Sequence, residues 1–362
     1  MPSIVPATSK ETMMERLKIL CEMVAPAGYE RRVNRWLLSR WEDKVDQVWL
    51  TPVGNLVAHV EGPGPKLMLC AHADEISFVV RGISKDGFLW ITMPSRNFRD
   101  RPYTRGPVML PIGQEALVVG QARDVRGVFA AALGHLATPQ DERPLTWDDL
   151  FVDVWAEGRD EVRELGVDIG APIIWNSPIR RKGDFVTGKA MDDRVGLAIM
   201  DVLLDELNRT ELKFDLYLTS TILEEQGLIG AASINRELHC SYAIALDVGL
   251  SGDIPTVSDK DVSARLGGGP LLVHRDLYTY DVPLTRALGM AAQTHGMALQ
   301  NGVFRYYGSD GGELIRGGAA SALLTVPTRY THSPIETVHL DDVMQTLQLL
   351  KLFLETEFVH GG

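Results

Sequence analysis

Two neighbouring carboxylates, Glu224 and Glu225, follow an apolar run at 214–218 and precede a glycine two positions on. If that run is a strand, the pair stands near its end, at the edge of an open sheet where ligands bind. Adjacent side chains point in different directions, so one can hold a metal ion while the other reaches a water. Residues of the same chemistry recur along the chain. His72-Ala73-Asp74-Glu75 ends the apolar run 66–71, and the His-x-Asp spacing puts both side chains on one side of an extended chain. A carboxylate so placed can fix the tautomer of a metal-binding histidine, which is the role expected of Asp74. Asp192 and Asp193 open a helical pattern, Asp247 follows the run 242–246, and His332 comes shortly after the run 322–326. Two histidines among several carboxylates suit two divalent ions, zinc or cobalt, rather than a thiolate site. Ions about 3.5–4 Å apart need a shared ligand, and Asp192, at a rigid helix start, is the candidate bridge. Each fragment alone has a plainer reading. Glu224-Glu225 could be a solvated pair at a helix start, His72 and its acids a surface loop, and Asp193 a simple cap. Their joint order favours the metal reading, because fragments that follow apolar runs converge on one edge of a mostly parallel sheet.

The elements that must position these residues are legible in outline. Leu17, Leu20, Cys21 and Val24 share one helical face behind a Thr8–Glu11 capping box. A second face carries Val33, Trp36, Leu37 and Trp41. Strand-like runs at 45–50 and 56–60 flank the turn signal Pro52-Val53-Gly54-Asn55. Between 76 and 182 the texture changes to short strand-like stretches (78–80, 88–91, 116–119, 128–131 and 151–155), with one helix at 160–165. This predicts an α/β chain, residues 1–75 and 183–362, interrupted by a small β-barrel-like insertion at 76–182. Helical spacing resumes with Val195, Ala198, Ile199, Val202, Leu203 and Leu207, and a last helix is expected over 340–358.

Composition narrows the function. A formal charge of −12 over 362 residues argues against nucleic acid and anionic membrane surfaces, which demand a basic face. The three cysteines lack zinc-finger or redox spacing. No basic-then-apolar start marks a secretory signal, and no apolar run approaches the ~20 residues of a membrane span. A cytoplasmic protein with no membrane partner is the expectation.

Five motifs then carry a resemblance: Ala71-His72-Ala73-Asp74-Glu75, Met191-Asp192-Asp193-Arg194-Val195-Gly196, Leu223-Glu224-Glu225-Gln226-Gly227, Leu246-Asp247-Val248-Gly249 and Arg329-Tyr330-Thr331-His332-Ser333-Pro334-Ile335-Glu336. In this order, with a β insertion where the family has one, the chain resembles the tetrahedral (TET) aminopeptidases of metallopeptidase family 42, relatives of other zinc exopeptidases. The resemblance implies a zinc-exopeptidase-like mixed sheet flanked by helices. It implies that His72 and Asp247 bind one ion, Glu225 and His332 the other, and that Asp192 bridges them. It makes Glu224 the general base, Asp74 the partner of His72, and Ser309 and Asp310 shapers of the substrate pocket. In that loop Gly308-Ser309-Asp310-Gly311 stands where the family more often reads Gly-Thr-Asp-Ala. The early Thr51-Pro52-Val53-Gly54-Asn55 also lacks an acid expected before Gly-Asn. The implied activity is removal of N-terminal residues from peptides. The implied assembly is a dimer-based homo-oligomer of up to twelve chains, joined through the insertion.

Rival readings fit the residues less well. Glycosidase carboxylates face each other about 5–9.5 Å apart across a sugar and need no metal, which leaves two histidines without work. A dinuclear amidohydrolase or deacylase acting on small N-acyl compounds uses the same ions and differs only in substrate. A catalytically silent metal scaffold is expected to lose Glu224 or a ligand, and none is missing.

Overall fold

The computed structural model describes residues 9–93, 109, 111–132, 135 and 145–358. Contacts divide the chain into two units. One comprises the chain up to Asp74, Ile179–Thr331 and Glu336 onward; the other comprises Glu75–Pro178 and His332–Ile335. The first unit begins with α1 (Lys10–Glu22), α2 (Arg31–Trp41), β1 (Gln47–Leu50), β2 (Leu56–Val60) and β3 (Lys66–His72). The second contains β4 (Phe78–Ile83), β5 (Leu89–Thr92), β6 (Glu115–Val119), β7 (Asp124–Ala131), β8 (Leu150–Asp153), α3 (Arg159–Glu164) and β9 (Pro172–Trp175). The first unit resumes with β10 (Arg180–Lys182), β11 (Phe185–Gly188), α4 (Met191–Glu206), β12 (Asp215–Thr221) and α5 (Ile229–Leu238). It continues through β13 (Tyr242–Leu250), β14 (Leu271–Arg275), α6 (Val282–Thr294), β15 (Gln300–Val303) and α7 (Asp310–Arg316). It closes with β16 (Ala320–Arg329), β17 (Glu336–His339) and α8 (Leu340–Leu354).

The main sheet of the first unit runs β1-β2-β12-β3-β13-β16-β17-β11-β10, with β14 and β15 attached beside β16. Its centre, β12-β3-β13-β16, is parallel and its flanks are antiparallel, so the sheet is mixed. A central strand must be apolar on both faces, and β3 shows how. Leu67, Leu69 and Ala71 join the core under α1, α2, α4, α6 and α8, while Met68 and Cys70 join the core under α5 and α7. Alternation with period two thus feeds two helical layers from one strand. α4 is buried on nearly every side, which makes it the axle of the larger layer. Its mid-helix acid, Asp201, is satisfied by Arg16, Arg40 and the Trp41 indole.

In the second unit β4-β5-β8-β7-β6-β9 close into a barrel, packed with Phe78, Phe129, Ile173 and Trp175. β10, within the range 76–182, pairs instead with β11 in the main sheet. Thr8 lies outside the described residues; the cap of α1 is Ser9, whose side chain accepts Thr12 N at 3.2 Å. The three cysteines are buried. Among the described residues no helix is long and apolar enough to cross a membrane.

Candidate active site

Parallel pairing brings the motif residues to one sheet edge. Thr221, the last residue of β12, stands in register with His72, the last of β3. Glu224 and Glu225 therefore begin three residues beyond the level of His72. β13 pairs with β3 only as far as Ala245 opposite Cys70, which puts Asp247 level with His72 on the same alternation. The expectation that Asp247 ends its strand is corrected here. β13 continues to Leu250 because β16 stays paired with it on the other side. Asp192 and Asp193 fall within α4 but have non-helical dihedrals (φ −75°, ψ 105° and φ −118°, ψ 42°). They form the entry turn, not the first helical turn.

The side chains converge. His72 Nε2 lies 2.8 Å from Asp192 Oδ1 and 3.9 Å from Glu224 Oε2. One potential ligand atom each from His72, Asp192 and Asp247 fall within 4.8 Å of one another, and so do those from His72, Glu224 and Glu225. Asp193 serves the backbone: one oxygen accepts Gly196 N at 3.1 Å, the other His72 N at 3.2 Å. That combines the capping reading with a tie to β3. A Cβ on Gly196 would meet Asp193 Oδ1 at 2.7 Å and Ala71 Cβ at 2.8 Å, so the close approach needs glycine.

Asp74 stands beside His72, as expected, and has further partners. Its two oxygens accept Glu224 N at 3.0 Å and Glu225 N at 3.1 Å. Its nearer oxygen is 3.4 Å from His72 Nδ1, and that nitrogen makes no hydrogen bond among the described residues. The carboxylate is thus committed first to the backbone of the two glutamates. Ser309 and Asp310 are also buried and turned to internal partners: Ser309 Oγ to the Tyr280 hydroxyl at 2.9 Å, and Asp310 Oδ2 to Thr221 Oγ1, which donates at 2.5 Å. Asp310 thereby ties the start of α7 to the end of β12. His332 falls in the segment grouped with the second unit; Thr331 and Glu336, on either side of that segment, belong to the first.

Burial of so many acids has an electrostatic signature. Loss of solvent pushes the Glu224 carboxyl well above its ordinary range, with His72 pulling it back and the charges of Glu225 and Asp247 pushing it further. Burial and then Asp192 raise both Glu225 and Asp247. Carboxylates that repel one another in a buried cluster are stabilised by cations. Oxygen and imidazole donors at the spacings above fit divalent metal ions.

A family model described as M42 glutamyl aminopeptidase matches residues 54–349. The chain belongs to this M42 family. FrvX of Escherichia coli (strain K12), a candidate aminopeptidase, is 31% identical over 355 residues, 95% of each chain. Aminopeptidase APDkam598 from the archaeon Desulfurococcus kamchatkensis superposes with a TM-score of 0.88 at 28% identity, over 96% of each chain. Pyrococcus horikoshii TET1 peptidase, which can assemble into a tetrahedron or a large octahedral shell, gives 0.83 at 26%, over 94% of this chain and 99% of its own. This M42 chain is accordingly an aminopeptidase, a peptide hydrolase, with the mixed sheet and barrel of the TET enzymes. Two residues of its active-site surround escaped the sequence reading, Glu30 and Asn55. Pro26-Ala27-Gly28 before Glu30 reads only as a helix stop, and Gly54-Asn55 as a turn in a stretch that departs from the family pattern.

Proposed function

We propose that the chain is a dinuclear metal-dependent aminopeptidase in which Glu224 is the general base. His72, Asp192 and Asp247 would hold one ion, and Asp192, Glu225 and His332 the other, with Asp192 shared. The observation that supports this reading is the convergence of His72, Asp192 and Asp247, and of Glu224 and Glu225 beside His72, at the end of parallel strands. His332 enters by chain connectivity: it is tethered within four residues of Thr331 and Glu336, next to the strand that pairs with β13. When bound, the ions would supply Lewis acidity that activates water and polarises the scissile carbonyl. The chain's own residues do the rest. Glu224 takes the proton of the attacking water and returns it to the leaving amine nitrogen. Asp74 holds the amides of Glu224 and Glu225, so that both side chains keep their aim.

The competing class, a deacylase on small N-acyl compounds, differs in what it requires at the amine. Aminoacyl-anilides and short peptides with free N-termini should be hydrolysed, and their N-acetylated counterparts should be slower by at least about 10²-fold, the discrimination expected of a site that pairs a polar group. Preference for the acetylated series in initial-rate measurements would reverse the assignment.

Assembly follows the same reading. The barrel exposes Trp90 (48%), Trp155 (65%) and Ile169 (65%), an amount of bare aromatic and aliphatic surface that suits an interface. Light scattering is expected to report a dimer-based homo-oligomer, up to twelve chains. A monodisperse, fully active monomer at micromolar concentration would count against it.

A further inference from the structure

Four consecutive amides, from Ile222 to Glu225, each donate to a side chain from a distant part of the first unit. Ile222 N reaches Asn55 Oδ1 at 3.1 Å and Leu223 N reaches Glu30 Oε1 at 3.1 Å. Glu224 N and Glu225 N take the two oxygens of Asp74. The carbonyls of the stretch are occupied from the other side. Gly230 N binds Ile222 O, Ile229 N binds Leu223 O, and Gly227 N and Leu228 N share Glu224 O. Within this frame Leu223 sits at φ +53°, the left-handed region that a non-glycine side chain rarely adopts. Such a conformation persists only where its surroundings over-determine it.

Glu30 is the group that holds Leu223 itself. It is buried at 4% exposure, where a glutamate is uncommon unless it has partners. Its Oε1 accepts Gly28 N at 2.8 Å as well as Leu223 N. One oxygen thus joins the loop between α1 and α2 to the residue that precedes the glutamate pair. Asn55 reinforces the neighbouring position: its Nδ2 donates to Gly230 O at 3.1 Å while its oxygen takes Ile222 N. A Cβ on Gly230 would meet Ile222 O at 2.5 Å and Asn55 Oδ1 at 2.6 Å, so the fit there is close.

We propose that Glu30 is a positioning residue for Glu224 and Glu225. By accepting the Leu223 amide it fixes the left-handed turn that aims the two carboxylates. The proposal rests on the reading of Glu224 and Glu225 as working groups of hydrolysis. What Glu30 must supply is an acceptor oxygen, which glutamine retains and alanine lacks.

The test compares Glu30→Ala and Glu30→Gln in the full chain with zinc or cobalt supplied. The readouts are kcat, KM, bound metal, thermal midpoint and deuterium uptake by the peptide spanning residues 222–228. Misplacing a reacting group by an ångström costs on the order of 10²-fold in rate. Glu30→Ala should therefore lower kcat by about 10- to 100-fold with little change in KM, and speed exchange at Leu223. Glu30→Gln should restore slow exchange and bring kcat to within about threefold of wild type. Wild-type kcat in Glu30→Ala overturns the proposal, even if its thermal midpoint falls. A glutamine variant as impaired as the alanine one also overturns it. If Glu30→Ala does not fold, Glu30→Gln decides alone: a folded variant with lost kcat or fast exchange at Leu223 overturns it, and a near-wild-type one supports it. Failure of the underlying reading is seen separately, as normal turnover by Glu224→Gln.

Discussion

Glu224→Gln should bind both ions and peptide yet turn over about 10²–10⁴ times more slowly, the usual contribution of a positioned proton-transfer group. The loss should fall on kcat, because the removed function matters mainly in the transition state. Glu225→Ala should look different. In the proposed scheme its side chain is itself a metal ligand, so metal and activity should disappear together. The two acids are sequence neighbours held by the two oxygens of one aspartate, and each variant leaves the other's amide contact intact. Metal analysis beside kcat on both variants separates the roles. A Glu224→Gln protein that has lost its ions, or that turns over normally, would overturn the assignment of the base.

The second large effect is removal of the ions. Chelated protein should lose peptide hydrolysis by at least about 10³-fold, since Lewis-acid stabilisation is worth several kcal/mol. Added Zn²⁺ or Co²⁺ should restore it. Asp192→Ala should resemble the chelated enzyme and resist rescue, because Asp192 is the ligand that the two ions share in this scheme. Full activity in demonstrably metal-free protein would sink the dinuclear scheme.

The sequence showed which residues converge more clearly than it showed what each one touches. His72, Asp192, Glu224, Glu225 and Asp247 were legible because each follows or opens a strongly periodic element, and parallel strands gather such positions at one edge. The barrel was legible for a similar reason, from turn signals between short alternating runs. Asp74 was less so. Spacing places it on the same side as His72, but it does not reveal that two amides 150 residues away compete for its oxygens. Glu30 and Asn55 have no local pattern at all, since their partners Leu223 and Ile222 lie far along the chain. Ser309 and Asp310 were placed by motif, which does not reveal their contacts with Tyr280 and Thr221. The apolar run 242–246 stops before Asp247, yet pairing with β16 carries β13 on to Leu250. In each case a long-range hydrogen bond decided what local preference could not.

One feature of the sheet bears on how the molecule is made. β12 lies between β2 and β3, although those two strands leave the ribosome long before it. At ordinary elongation rates their wait is on the order of ten seconds. Throughout that interval the facing edges of β2 and β3 lack their native neighbour, and they present backbone donors and acceptors to any passing strand. The strand that ends the wait also brings the glutamate pair with it. Completion of the sheet and delivery of the base and its neighbouring ligand to the nascent enzyme are therefore a single insertion event.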